Sequence, residues 1–305
     1  MRLLLIVNAS ASSVTARGRV VIEKALSADH DVATVHTSRR GHATRLAQAA
    51  STDGTEVVVV LGGDGTLNEA ANGLAGSETA LAALPGGSTN VFARTIGLPD
   101  DPIEATGALL DALGRGSIRR VGLGRVNDRW FLFHVGMGFD AAVVEQVERR
   151  AAIKRWASHP LFVYSAFETA LRHYDRSRPR MAVHHDDGTM VDDVYDGICC
   201  NTNPYTYLGA LPINIAADAH LDNQLTMVSV RTLRIPTVLA LLGSAVATNG
   251  HRVRHSHHVD YRPDVPTVTV TGYGPFPYQV DGDYLGEVET LELRHERDVL
   301  SVVFP

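Results

Sequence analysis

The chain has 305 residues, of which 45% are hydrophobic and 20% charged, and its formal net charge is −6. This composition excludes a disordered chain, a collagen-like repeat and a small disulfide scaffold, and the acidic balance argues against a general nucleic-acid binder. At ~100–200 residues per domain the length suits two domains.

The chain opens with Arg2, an apolar stretch and the triplet Ala9-Ser10-Ala11, in the manner of a signal peptide. Leu3–Val7 is shorter than the ~7 residues such a segment needs, and Asn8 ends it, so a first buried strand is the better reading. Val32–Val35, Val57–Leu61 and Leu81–Leu84 read as further buried strands, short and partly β-branched. Between them Val14–Leu26 and Gly41–Ala50 carry apolar residues at helical spacing. Strand alternating with helix implies right-handed crossovers and a parallel sheet, whose ligands bind beyond the carboxyl ends of the strands.

From about Arg119 the pattern changes. Arg129–Val135, Arg180–His185, Asp196–Cys200, Gln224–Arg231, Pro266–Thr271 and Pro277–Val280 read as strands, and Asp186-Asp187-Gly188 as a hairpin turn. Helices are expected over Phe139–Arg150, Leu161–His173 and Ile235–Asn249. No apolar run approaches the ~18 residues of a transmembrane helix. Cys199 and Cys200 are adjacent in an apolar strand, which fits reduced core thiols in a cytosolic protein. The cluster His251, His255, His257 and His258 is flanked by Arg252 and Arg254, which repel cations, and reads as a solvated segment. Residues 149–180 hold eight basic residues, among them Arg149, Arg150, Lys154 and Arg155, against Glu168 and Asp175. Trp156, Leu161, Phe162, Tyr164 and Phe167 are interleaved with them. The segment is either an anionic-membrane contact or a solvated basic face over a core helix.

Two loops carry the chemistry. In the first, Gly62-Gly63-Asp64-Gly65-Thr66-Leu67-Asn68-Glu69 follows a strand and leads into a helix expected over Thr66–Leu74. Its glycines let backbone N–H groups approach an anion, and the helix N-terminus faces the same point. Asp64 among those donors would oppose a bare phosphate; it makes sense beside magnesium or a proton-donating hydroxyl, the bland reading being a helix-capping Asp. The spacing is neither a Walker A loop nor a dinucleotide G-x-G-x-x-G. The second loop, Pro85-Gly86-Gly87-Ser88-Thr89-Asn90-Val91-Phe92-Ala93-Arg94, again follows a strand and offers hydroxyl and amide groups at a helix start.

These two blocks, about twenty residues apart, resemble the diacylglycerol kinase catalytic domain family, which includes sphingosine and ceramide kinases and soluble bacterial lipid kinases. The likeness extends through Phe133-His134-Val135-Gly136-Met137-Gly138-Phe139-Asp140-Ala141 to Val280-Asp281-Gly282-Asp283. It implies a phosphofructokinase- and NAD-kinase-like α/β N-terminal domain with a parallel sheet (1–121, nucleotide-binding) and a β-rich, sandwich-like domain (122–290) for the lipid substrate. Residues 291–305 are expected to pack back onto the first. The implied activity is ATP- and Mg2+-dependent phosphorylation of a hydroxyl of diacylglycerol, a sphingoid base or a related amphiphile. The implied setting is a cytoplasmic protein visiting membranes, with a homodimer admitted and no nucleic-acid partner. An NAD kinase, or a non-catalytic nucleotide- or lipid-binding relative, is the alternative.

The resemblance assigns the first phosphate loop to Asn8-Ala9-Ser10-Ala11-Ser12, with Ala9 for the family's proline and Ser12 for its glycine. It further assigns nucleotide contacts to Thr37, Gly62, Gly63, Gly65, Thr66, Leu67, Asn68, Glu69 and Ser88, and catalysis to Asp64 and Asp283. Asp283 stands for the family's glutamate base, although Asp-Gly-Asp on residues alone is equally a hairpin turn. A structural magnesium would take the carbonyls of His220 and Leu225 and the side chain of Asn223. Val91, Gly122 and Asn223 each stand where members of the family commonly have Asp.

Overall fold

The computed structural model describes residues 1–149, 167, 168, 172 and 174–305. Most of the helix expected over Leu161–His173, and Arg150, Lys154, Arg155, Trp156, Leu161, Phe162 and Tyr164 of the basic segment, lie outside the described residues. The chain forms two compact units, Met1–Leu123 with Glu296–Pro305, and Gly124–His295.

In the first unit the strands are β1 (Arg2–Val7), β2 (Asp31–His36), β3 (Val57–Gly62) and β4 (Ala80–Pro85). They pair in parallel in the order β2-β1-β3-β4, with Leu3 opposite Val57 and Gly62 opposite Pro85. The C-terminal end of the chain adds one more parallel contact, Val302 opposite Leu81. Every residue of β3 and β4 is buried. Such strands need cover on both faces, which explains their unbroken Val, Leu and Ala runs. The cover comes from α1 (Ala16–Leu26), α2 (His42–Ala50), α3 (Asp64–Leu74), α4 (Val91–Thr95) and α5 (Pro102–Gly114). Helix α2 packs on α3 and α1 on α5. Gly73 makes the first contact possible, because a Cβ there would lie 2.3 Å from the Thr44 carbonyl oxygen of α2.

The second unit is β-rich. After β5 (Ile118–Val126), which carries residues of both units, come β6 (Arg129–Phe131), β7 (His134–Gly138) and α6 (Phe139–Arg149). Strands β8 (Met181–His185), β9 (Met190–Val194), β10 (Asp196–Cys200), β11 (Thr206–Leu208), β12 (Leu211–Ile213) and β13 (Leu225–Val230) follow. Helices α7 (Ile235–Ala247) and α8 (His251–Arg254) precede β14 (Val259–Val265), β15 (Thr267–Val280) and β16 (Asp283–Val303). One branch runs β14-β13-β10-β7-β15; the other joins β9-β8 to the first half of β15, and β16 and β5 continue it. One apolar core takes Met137, Cys199 and Met227 from the first branch and Val183, Val268, Leu291 and Leu293 from the second, which is the arrangement of a sandwich.

Two expected strands take a different form. Arg129–Val135 is broken into β6 and β7, because the Asp281 carboxylate captures the amides of Leu132, Phe133 and His134. Pro266–Thr271 and Pro277–Val280 belong to one strand, β15, whose register with β16 shifts between Thr271 and Phe276.

Replacing Gly73 with Ala tests the helix contact. Although Ala is the better helix former, the overpacking against Thr44 should leave a net loss of about 1–2 kcal/mol in urea denaturation.

Candidate active site

Because β1, β2, β3 and β4 run parallel, the loops after Val7, His36, Gly62 and Pro85 meet at one edge of the first unit. The Asn8 amide donates to the Leu61 carbonyl at 3.0 Å, and its Nδ2 donates to Thr66 Oγ1 at 2.9 Å. Asn8 Oδ1 in turn accepts from the Ser10 amide, and the Ala11 amide donates to the Asn8 carbonyl, closing a turn over Ala9 and Ser10. Ser12 is exposed, and the next residue, Ser13, donates through its amide to the Gly86 carbonyl at 2.9 Å. The Thr37 amide donates to the Val7 carbonyl, which fixes the loop after β2.

The two glycine loops touch backbone to backbone. The Gly86 amide donates to the Gly62 carbonyl at 2.9 Å, and a Cβ on Gly87 would lie 2.8 Å from the Gly63 Cα. Gly86 and Gly87 are thus required by the closeness of Gly62 and Gly63, before any ligand is considered. A cavity of about 270 Å3 beside them is lined by Ser13, Val14, Thr15, Arg19, Leu61 and Asp100, among others.

Asp64 is the residue on which the second loop hangs. Helix α3 begins two residues earlier than expected, with Gly63 as its N-cap and Asp64 in its first turn. The Asp64 carboxylate accepts from the amides of Val91 (3.0 Å) and Phe92 (3.2 Å) and from Thr89 Oγ1 (3.2 Å). It therefore caps α4 of the other loop rather than its own helix. Burial pushes its carboxyl above the ordinary value, against the pull of those donors. Asn90, at φ 49°, closes the second loop by accepting the Gly87 amide at 2.7 Å and donating to Asp100 Oδ1 at 2.8 Å. Ser88 is left exposed at the tip.

The rest of the first motif turns inward. Gly65 and Thr66 stay partly exposed, whereas Leu67 and Asn68 are buried. Glu69 accepts from the amides of Gly41 (2.7 Å) and Ala43 (3.1 Å) at the start of α2. The Glu69 side chain thus ties α3 to the start of α2.

In the second unit Val280 pairs with Asp283, and Asp281 and Gly282 between them both have positive φ, 49° and 83°. That is the two-residue hairpin that Asp-Gly favours. Asp283, the first residue of β16, is partly exposed and accepts from Arg129 Nη2 at 2.8 Å. Sequence reasoning missed Arg129, and with 154 residues between the partners no spacing could have shown it. It also missed a buried cluster in which Asp140 accepts from Tyr205 and from Gln279 Nε2, while its amide donates to Asp196. Burial, and then the charge of Asp140, push the Asp196 carboxyl up to about 8. The Phe-Asp-Ala segment marked Asp140, but not its partners.

The proposed magnesium loop fits a cation poorly. The Asn223 amide closes the turn on the His220 carbonyl, Asn223 Nδ2 donates to the Asp218 carbonyl at 3.1 Å, and Leu225 enters β13. The Asp218 carboxylate is taken by Arg254 and Tyr261. What remains is neutral oxygens, weak partners for a hard cation. Among the described residues no group of three or more His, Cys, Asp or Glu side chains converges to hold a metal ion.

Residues 2–126 match the model of the diacylglycerol kinase catalytic domain. The match takes in nearly all of the first unit and β5, about two fifths of the chain. The chain is 35% identical over 121 residues to a diacylglycerol kinase of Bacillus subtilis (strain 168), a match covering 39% of each chain. It is 38% identical over 141 residues to a probable lipid kinase YegS-like protein of Chromohalobacter salexigens, covering 45% of this chain and 43% of that one. These matches span about two fifths of each relative's length. Against a diacylglycerol kinase of Staphylococcus carnosus the identity is 24% over 277 residues, covering 88% and 83%. The fold is shared with a putative diacylglycerol kinase from Bacillus anthracis (TM-score 0.78, 20% identity, 100% and 97% of the chains covered). It is shared more distantly with an NAD kinase from Archaeoglobus fulgidus in complex with ATP (TM-score 0.53, 12% identity, 99% and 93% covered).

Asp281 yields a pH prediction. Burial raises its carboxyl from 3.8 to about 6, against three backbone donors. The folded state then binds the proton more tightly than the unfolded chain, so this group's contribution is full below pH 4 and is lost as pH rises to about 6. The loss amounts to about 3 kcal/mol. Denaturation of Asp281→Asn across that range should lack this component, while its mismatched amide lowers stability at every pH.

Proposed function

We propose that the protein is an ATP-dependent lipid kinase that phosphorylates a hydroxyl of diacylglycerol, a sphingoid base or a related amphiphile. The observation that carries this reading is the backbone contact of the two glycine loops, with Asp64 bridging them, at the carboxyl edge of a parallel sheet. ATP supplies the phosphoryl group, and magnesium offsets its charge when bound. The amides of Asp64 and Gly65, in the first turn of α3, have no acceptor within the helix and are the donors for a phosphate oxygen. The turn over Ala9 and Ser10 and the hydroxyl of Ser88 supply further polar groups at the same edge. Asp64 fits a magnesium-organising role through what its carboxylate has left after accepting three donors; with Val91 buried beside it, no second carboxylate joins it from that position. Asp283 takes the acceptor's proton, and its ion pair with Arg129 fixes the carboxylate's direction. The basic segment at 149–180 remains the sequence-based candidate for peripheral membrane contact.

Transfer of label from ATP and magnesium to a panel of micellar lipids, with NAD as a rival acceptor, tests the reading. Labelled lipid supports it; labelled NADP would make the protein an NAD kinase; ATP binding without transfer would make it a non-catalytic relative. In the same assay Asp283→Asn should slow transfer by ~10²–10⁴ with ATP affinity retained. Asp64→Ala should abolish turnover, since it removes the link between the loops. Near-normal rates in either variant would exclude that residue from the mechanism.

A further inference from the structure

Helix α7 has thirteen residues and no charged side chain. Val238, Ser244 and Ala245 face inward. Ile235, Leu239, Leu242 and Val246 fall at i, i+4, i+7 and i+11, which places them on one stripe of the helix surface. They are 45%, 56%, 38% and 41% exposed. No other described helix presents four large apolar side chains to solvent in this way. Strand β12 packs beside α7, where the Asn214 amide donates to the Ala245 carbonyl at 2.8 Å, and Leu211 at the start of β12 is 55% exposed. An outward apolar face of this kind marks an interaction surface.

The charge around it says what it meets. Residues 223–259 contain four arginines and four histidines and no acidic residue, within a chain of net charge −6. Arg231 and Arg254 are committed to Asp193 and Asp218. Arg234, at the N-cap of α7, and Arg252, just past its C-terminal end, are exposed and make no ion pair among the described residues. The stripe is wholly aliphatic and lacks the aromatic anchors that dominate protein interfaces. Aliphatic side chains flanked by guanidinium groups suit the boundary of a bilayer, with the former among acyl chains and the latter at anionic headgroups. Thirteen residues fall short of the ~20 that span a bilayer. No described helix is long and apolar enough to cross one.

We propose that α7, with Leu211 beside it, docks the protein onto an anionic lipid bilayer. The inference rests on the lipid-kinase reading, in which the acceptor is held in such a bilayer. It assigns the contact to a surface separate in sequence from the basic segment at 149–180.

Co-sedimentation of the full chain with phosphatidylcholine vesicles, with and without phosphatidylglycerol, tests it. The protein should bind the anionic vesicles and be released by salt. Leu239→Asn with Leu242→Asn should lower the partition coefficient at least about tenfold, since two exposed leucines lose their transfer from water. Arg234→Gln with Arg252→Gln should remove the preference for phosphatidylglycerol. Both double variants should keep the denaturation midpoint and the rate toward a short-chain diacylglycerol in free solution. The proposal is overturned if the wild type binds neither vesicle, if the leucine variant binds as well as wild type, or if those leucines instead hold a dimer together. Leucine-dependent vesicle binding without phosphate transfer to any lipid would uphold the docking and reject the kinase reading.

Discussion

The structure of the first unit turns on one close approach, the hydrogen bond from the Gly86 amide to the Gly62 carbonyl. The loops can meet at this distance only where the second carries no side chain against the first, and Gly86 and Gly87 supply that condition. The carboxylate of Asp64 completes the junction by capping α4. Asn8 and Ser13 then tie the first loop to both partners. The result is a rigid rim of backbone amides at a helix N-terminus, built from local interactions that exist before any ligand arrives. Preorganisation of this kind is what phosphoryl transfer demands, because the protein contributes position and electrostatics rather than covalent chemistry.

In the second unit buried carboxylates play the corresponding part. Asp281 collects three amides where the chain leaves β6 for β7, so the Asp-Gly turn is anchored rather than free. Asp283, two residues on, inherits that fixed backbone and is held at its tip by Arg129. Asp140 and Asp196 sit together out of water, and burial raises both carboxyls above the ordinary value.

Much of the first unit was legible because its strands are buried on both faces, and the Val, Leu and Ala runs at 57–61 and 81–84 have few alternatives. Both glycine loops were legible as strand-to-helix turns. The use of their residues was not. The motif does not show that Glu69 ties α3 to α2, because only three dimensions bring Gly41 and Ala43 to it. That the Asp64 carboxylate accepts from the neighbouring loop was equally hidden. In the second unit β14 and β16 escaped, since their polar, solvent-facing positions dilute the apolar signal; in β16 Leu291 and Leu293 face the core between exposed Thr290, Glu292 and Arg294. The outward stripe of α7 was equally hidden, because an apolar helix reads as core until its neighbours are known.

The central claim is that the joined loops are a nucleotide phosphate cradle, and amide hydrogen exchange with and without ATP and magnesium tests it most directly. The account predicts that the nucleotide slows exchange at residues 8–13, 62–66 and 86–91, leaving the turn at 220–225 unchanged. Nucleotide binding that slows exchange elsewhere, while these three loops exchange as before, would contradict it.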